Sequence, residues 1–338
     1  MDTYDNTSEK TVYTWPNPYF PFNCLLDTPQ GRIFVLENIT HNYKWLKECC
    51  SRIKDTDFFL ITFGWYFSMH LANQSRSILD QLQLNLDNFY LLYNSPEEEA
   101  HGQAFGLQGD VVNHNAWLDE SALTPSAATK KYDALYVARL IDFKRHHLVE
   151  KIPRLALAAG GEKMADTKYN GWKEKNSIPG LPNCSNNGSK YLNKRELVSL
   201  VNESHCGLSL SAAEGACYSS SEYLLCGLPV VSTESKGGRD VWYNERNSII
   251  CEDDPDAVAE AVEKCKSMKW NALGIRNMHI AQAQHYRYKF FIKLQEILNT
   301  FADPPLYATE VFEKSFGWYC NNREGYTPHI NDVKRFFQ

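Results

Sequence analysis

The chain has 338 residues, is 43% hydrophobic and 22% charged, and carries a formal net charge of −6. Such a composition belongs to an ordinary globular protein with length for two hydrophobic cores, and its acidic balance excludes general nucleic-acid binding, which basic surfaces drive. No run reaches the roughly 20 apolar residues of a membrane span, and the polar, acidic stretch from Met1 to Lys10 is the opposite of a secretory leader. The expectation is a cytoplasmic protein. Its 10 cysteines include no C-x-x-C pair, and the adjacent Cys49 and Cys50 are poorly placed to bridge, which predicts reduced thiols and no zinc site.

In chain order, the prolines between Trp15 and Pro21 predict an extended, irregular start. Strands follow at Arg32–Glu37, at Asp57–Trp65 around an apolar run that reads as buried on both faces, at Phe89–Tyr93 and at Asp110–Trp117. Between them, helices are predicted over Tyr43–Ile53 and Met69–Leu84, and from Ser95-Pro96, where proline and three glutamates suit a first turn. From Asp119 to Lys131 the periodicity gives way to small polar residues, read as an interdomain linker. The alternation then restarts with a strand at Ala134–Val137, a loop from Arg139 to His147, a helix to about Leu157, an excursion over Asp166–Lys190 and a helix over Asn193–Glu203. A strand at Ser248–Cys251, a helix signalled by Asp254-Pro255 and helical material to Leu298 complete the pattern. Alternating strands and helices predict an α/β protein with mostly parallel sheets. The domains read as residues 1–130, 131–303 and a tail, 304–338, that returns to the first domain, with aromatics at Phe312, Phe316, Trp318 and Tyr319.

The stretch from Leu208 to Trp242 reads as strand, acidic glycine turn, short helix, strand and glycine loop. Ser219 and Glu222 have capping-box spacing, Gly227 suits the position after a helix and Pro229 follows it, so a helix is expected from near Ser220 to near Cys226. Its amino end, with Gly215 allowing close backbone approach, makes an anion site flanked by Glu214 and Glu222.

This string resembles the E-x7-E element of retaining glycosyltransferases of the GT-B fold, in particular glycosyltransferase family 4: seven residues separate Glu214 from Glu222, and Cys226–Val231 and Gly237-Gly238 match the strand and loop that follow. The segment from Tyr136 to Leu148 resembles that family's Gly-Arg-Leu-x-x-x-Lys element, with Ala138 in place of the glycine. The resemblance implies two Rossmann-like domains facing across a cleft. It further implies that Arg139 and Lys144 hold the diphosphate of a nucleotide sugar and that Glu214 lies against the donor sugar. The turn Gly215, Ala216, Cys217 and Tyr218 would contact sugar or phosphate, and Glu222 would bind ribose, although a capping carboxylate explains Glu222 equally from sequence. Glu214, Lys144 and Arg139 are thus the implied catalytic groups, with no metal or other cofactor. Asp240 after the glycine pair, His70 after the second strand and His114 in the Asn-His-Asn-Ala-Trp segment are weaker candidates; a tight turn or a core histidine accounts for each. The implied activity moves a sugar to an acceptor hydroxyl in glycan or surface polysaccharide synthesis, in the cytoplasm or at a membrane surface. A nucleotide-sugar epimerase of the same fold and a non-catalytic nucleotide-sugar-binding homologue are the rival readings.

Overall fold

A computed structural model describes residues 22–139, 141–159, 184–186, 192–301 and 306–315. The chain forms two compact units, Met1–Asp119 with Ala283–Gln338, and Glu120–Gln282. The unit boundary falls at the start of the segment read as a linker, and the rest of that segment is bonded to the second unit: the Ser126 amide donates to Asn202 Oδ1 at 2.7 Å, and Lys130 Nζ donates to the Asn202 and Ser204 carbonyls at 2.9 and 2.7 Å. The lysine ammonium thus satisfies two backbone carbonyls of the second unit.

The first unit holds a five-stranded sheet in the order β1 (Phe22–Asp27), β2 (Arg32–Glu37), β3 (Asp57–Thr62), β4 (Phe89–Tyr93) and β5 (Gly109–Val111). β1 is antiparallel to β2, and the other pairings are parallel. Phe34, Phe59 and Phe89 are register partners on three neighbouring strands, and their rings stack with centroids 5.4 and 4.7 Å apart. Cross-strand aromatic pairs of this kind are what the apolar runs of these strands supply to the core. Helices α1 (Ile39–Cys49), α2 (Met69–Gln81) and α3 (Pro96–Gln103) connect the strands. Each begins at a side-chain cap, from Asn38, Ser68 and Ser95 respectively. The strand predicted over Asp110–Trp117 stops at Val111, because the Asn113 side chain accepts from the Asn115 amide and turns His114–Trp117 into a 3-10 helix.

The second unit holds a six-stranded parallel sheet in the order β13-β11-β9-β6-β7-β8, with β6 at Ala134–Val137, β7 at Leu155–Ala158, β8 at Cys184–Asn186, β9 at Gly207–Ser209, β11 at Val230–Thr233 and β13 at Ser248–Cys251. A two-stranded sheet pairs β10 (Ala213–Glu214) with β12 (Lys236–Gly237). The helix expected to reach Leu157 is absent: His146–Val149 is a 3-10 turn, and Leu155–Ala158 is a fully buried strand. A four-residue apolar run has no periodicity to separate the two states. Helices α4 (Lys194–Asn202), α5 (Tyr218–Leu225), α6 (Pro255–Ser267) and α7 (Ala272–Leu298) follow, and the boundary between the units falls inside α7. The last helix among the described residues, α8 (Ala308–Ser315), belongs to the first unit, where Phe312 packs against Trp117, Phe290 and Phe291. The predicted aromatics Phe316, Trp318 and Tyr319 and most of the excursion over 166–190 lie outside the described residues. Among the described residues, no helix is long and apolar enough to cross a membrane.

Candidate active site

Counted within the second unit, the sheet order is 3-2-1-4-5-6. The chain leaves β6 toward β7 on one side, and its next half, beginning with β9, builds on the other. Ligands of such sheets bind in the crevice beyond the carboxyl ends of the two strands where the order reverses. Here those strands are β6 and β9, paired at Leu135 and Gly207. The loop carrying Arg139 and Lys144 follows β6, and the turn carrying Glu214 follows β9, so the sequence signals separated by 70 residues converge on one edge.

Lys144 Nζ forms an ion pair with Glu214 Oε1, and the two side chains are 13% and 7% exposed. Ser211 Oγ donates to the same oxygen at 2.7 Å. Glu214 is held from behind: it pairs with Gly237 between β10 and β12, and the Gly238 amide donates to the Gly215 carbonyl at 2.9 Å. On the other side, the Tyr136 hydroxyl donates to the Lys144 carbonyl and fixes the backbone from which the lysine extends. His146, two residues on, is pushed down to about 4, chiefly by burial and further by Lys144 and His147, against a hydrogen bond that its ring donates to the Ala138 backbone. It therefore adds no charge beside Lys144 at neutral pH.

The turn Gly215–Cys217 leads straight into α5, and the capping box does not form. α5 starts at Tyr218, two residues earlier than the pattern predicts, after Cys217 in a left-handed conformation with φ of 54°, and with no side-chain cap. Glu222 therefore falls in the second turn. Its residue is 2% exposed, its Oε1 has no hydrogen-bond partner, and burial raises its carboxyl to about 8. Ser220 on the same helix is also fully buried with an unpartnered hydroxyl. Buried polar atoms without partners are costly, but Ser220 and Glu222, two residues apart, project from different faces of α5. The carboxyl end of α5 agrees with the sequence reading: Gly227 takes a φ of 69°, its amide donates to the Leu224 carbonyl and the Leu228 amide to that of Tyr223, a Schellman closure.

The remaining candidates separate. Arg139 is exposed at the end of β6, on the same edge as Lys144. Asp240 is a scaffold residue: Oδ1 accepts from Arg239 Nε at 2.7 Å, and Oδ2 accepts from the Ser235 amide at 3.0 Å. His70 is exposed in the first turn of α2, and His114 is buried with its amide donating to Asn94 Oδ1 at 2.9 Å, both within the first unit. Sequence reasoning passed over Arg239, which is completely buried. Its Nη1 donates to the Ser209 and Ser211 carbonyls at 3.0 and 2.7 Å, and its Nη2 to that of Thr233, tying the carboxyl ends of β9 and β11 together. Asp240 aside, these partners are backbone carbonyls, which leave no mark in a sequence pattern.

Comparison with known proteins gives this geometry a context. Residues 131–267 match the model of the family described as glycosyl transferases group 1. No curated protein matches the chain in sequence. Among solved structures, the chain is similar to a trehalose-6-phosphate synthase studied for glycosyltransfer with retention, at 13% identity and a TM-score of 0.57 over 80% of this chain and 74% of that one. It is similar to the sucrose-phosphate synthase of Thermosynechococcus elongatus, at 13% identity and a TM-score of 0.55 over 76% and 69%. It is also similar to Anabaena HepE in complex with UDP and glucose, at 13% identity and a TM-score of 0.54 over 70% and 71%. At such identities the likeness is one of fold. The chain has the GT-B fold, and the part of it that matches the group 1 glycosyl transferase model lies within the second unit.

Proposed function

We propose that the chain is a retaining glycosyltransferase of family 4 type that moves a sugar from a nucleoside diphosphate to the hydroxyl of a glycan or lipid-linked acceptor. The observation that carries this reading is the buried Lys144–Glu214 pair at the switch point of a sheet whose residues 131–267 match group 1 glycosyl transferases. Two of the three structures compared above support the choice of ligand by what their descriptions state: HepE is complexed with UDP and glucose, and the trehalose-6-phosphate synthase transfers with retention.

In this reading Lys144 and Arg139 bind the diphosphate, Glu214 lies beside the sugar and Glu222 accepts from the ribose hydroxyls. The bond between the anomeric carbon and the phosphate oxygen breaks with its electron pair leaving on the diphosphate, and cations fixed in place stabilise that charge. Glu214 steadies the positive charge that develops on the sugar ring. The acceptor oxygen bonds to the anomeric carbon on the face the phosphate leaves, and its proton passes to the departing phosphate. These groups supply the charges the reaction needs without a divalent metal.

The test is nucleotide release from a panel of UDP-glucose, UDP-N-acetylglucosamine and GDP-mannose, followed by proton NMR of the initial product with the donor that reacts. The expected product keeps the donor's α configuration, read from its anomeric coupling constant. A β product from an α donor removes the retaining assignment, and epimerised donor without nucleotide release would establish the rival chemistry.

A further inference from the structure

The loop that carries Lys144 contains a residue in a conformation its side chain disfavours. Arg145 has a φ of 51° and a ψ of 49°, the left-handed region in which a Cβ crowds the backbone and glycine is the usual occupant. It is the pivot between two 3-10 turns: its amide donates to the Asp142 carbonyl at 2.9 Å, and its carbonyl accepts from the Leu148 amide at 3.0 Å. The side chain is anchored at three points. Nε donates to the Leu210 carbonyl, Nη2 donates to Thr233 Oγ1 at 2.6 Å, and Nη1 pairs with Asp253 Oδ2 at 2.6 Å. Leu210 follows β9, Thr233 ends β11 and Asp253 follows β13, and these three strands are neighbours in the sheet. One guanidinium therefore bridges the carboxyl ends of three adjacent strands.

We propose that Arg145 is a positioning residue, holding the turn that aims Lys144 at Glu214 and, on the function proposed above, at the leaving diphosphate. Its Nε, Nη1 and Nη2 are all engaged with protein groups, so it is not arranged as a direct phosphate ligand. The planar fork reaches three acceptors in different directions, a geometry that the single ammonium of lysine does not reproduce. The left-handed backbone at 145 persists because those anchors over-determine it. Two adjacent cations thus divide the work: Lys144 faces the chemistry, and Arg145 faces the sheet.

The experiment compares Arg145→Gly and Arg145→Lys, each alone and combined with Lys144→Ala, using the full chain and whichever donor of the panel the wild type turns over. Glycine accepts the left-handed backbone without strain, so Arg145→Gly is expected to fold. A cation misplaced by about 1 Å costs on the order of 100-fold, and we expect kcat to fall at least about tenfold with the donor KM within about threefold, the pattern of a contact made in the transition state. Arg145→Lys is expected to show the same loss without rescue. In the Lys144→Ala background, Arg145→Gly should change kcat by less than about twofold, since its effect passes through the missing amine. Should Arg145→Gly fail to fold, Thr233→Val removes a single anchor and is expected to lower kcat in the same direction. Normal kcat in Arg145→Gly, rescue by lysine, or multiplicative losses in the double variant would overturn the inference while the proposed function stands. A wild-type chain that releases no nucleotide from any donor overturns both.

Discussion

Replacing Glu222 by glutamine separates burial from ligand binding at the most exposed point of the reasoning. Burial holds the Glu222 carboxyl at about 8, against an ordinary value of 4.5. The folded chain thus binds this proton more tightly than the unfolded chain. The stability it contributes is complete below 4.5, is lost as pH rises, and is gone above 8. The slope over that window is at most about 1.4 kcal/mol per pH unit, or about 5 kcal/mol in all as an upper limit. Glu98 in the first unit adds a parallel slope: burial raises it to about 8 although the Phe67 and Asn94 amides donate to it. The difference between wild type and Glu222→Gln isolates the second unit. Urea unfolding from pH 5 to 8 should show the two proteins close at pH 5 and the variant more stable by several kcal/mol at pH 8. UDP binding should move the opposite way. A hydrogen bond to a charged group is worth about 1.5–3 kcal/mol, so the variant should bind UDP at least about tenfold more weakly at pH 8. Wild-type binding near pH 7 should release a proton, seen by titration calorimetry in buffers of different ionisation enthalpy. Parallel stability curves would refute the burial argument, and unchanged UDP affinity would refute the ribose assignment.

Lys144→Ala should cut turnover by roughly a hundredfold or more, the worth of about 2.7–4 kcal/mol for one transition-state contact. It should also destabilise, because Glu214 is left buried without its cation, with Ser211 still donating to it, a loss of the kind that costs about 3–5 kcal/mol; nucleotide release and urea melts measure the two effects. The sequence alone gave Lys144 no protein partner, and the ion pair changes that expectation. Glu214→Gln keeps the hydrogen-bonding shape and removes the charge, so kcat should fall while UDP still binds by calorimetry. Gly227→Ala should lower the melting temperature by the equivalent of more than about 1 kcal/mol, since φ is 69° and a Cβ would lie 2.6 Å from the Ala272 carbonyl oxygen.

What was legible in the sequence was legible for local reasons. β4 and β6 stand where their apolar runs place them, and α3 and α6 begin at the Ser95-Pro96 and Asp254-Pro255 signals. The capping box shows the limit of such signals. The pattern forms at Asn193 and Glu196, where both reciprocal bonds are present, and fails at Ser219 and Glu222. The first pair is solvent-accessible at the start of α4, whereas α5 is buried along its length, so tertiary packing and not the local pattern sets where α5 begins. β1 was missed because its Phe22–Asp27 stretch follows a proline-rich start, and β7 because Leu155–Ala158 is too short to reveal its period. The site itself was half legible. Lys144 and Glu214 carry motif spacing, but Arg145 and Arg239 act on atoms brought near only by strand order.

The ion pair between Lys144 and Glu214 also explains how two charges come to be buried at an edge where each has a separate role. Isolated, either would carry a desolvation cost of several kcal/mol; paired, with Ser211 adding a hydrogen bond to Glu214 Oε1, they neutralise each other in the free chain. On the proposed reaction the charge that appears is itself a pair, negative on the departing diphosphate and positive on the sugar. A lysine and a glutamate already fixed side by side present the complementary pair in advance, so little reorganisation accompanies bond cleavage. Glu222 stands outside this arrangement. Among the described residues it has no cation, and burial raises it to about 8, so on the proposed reading it gives up its proton only as the ribose hydroxyls donate to it. Carboxylates that a sequence shows only as two ends of one motif are therefore set apart by their surroundings, one ion-paired at the reacting end and one desolvated within a helix.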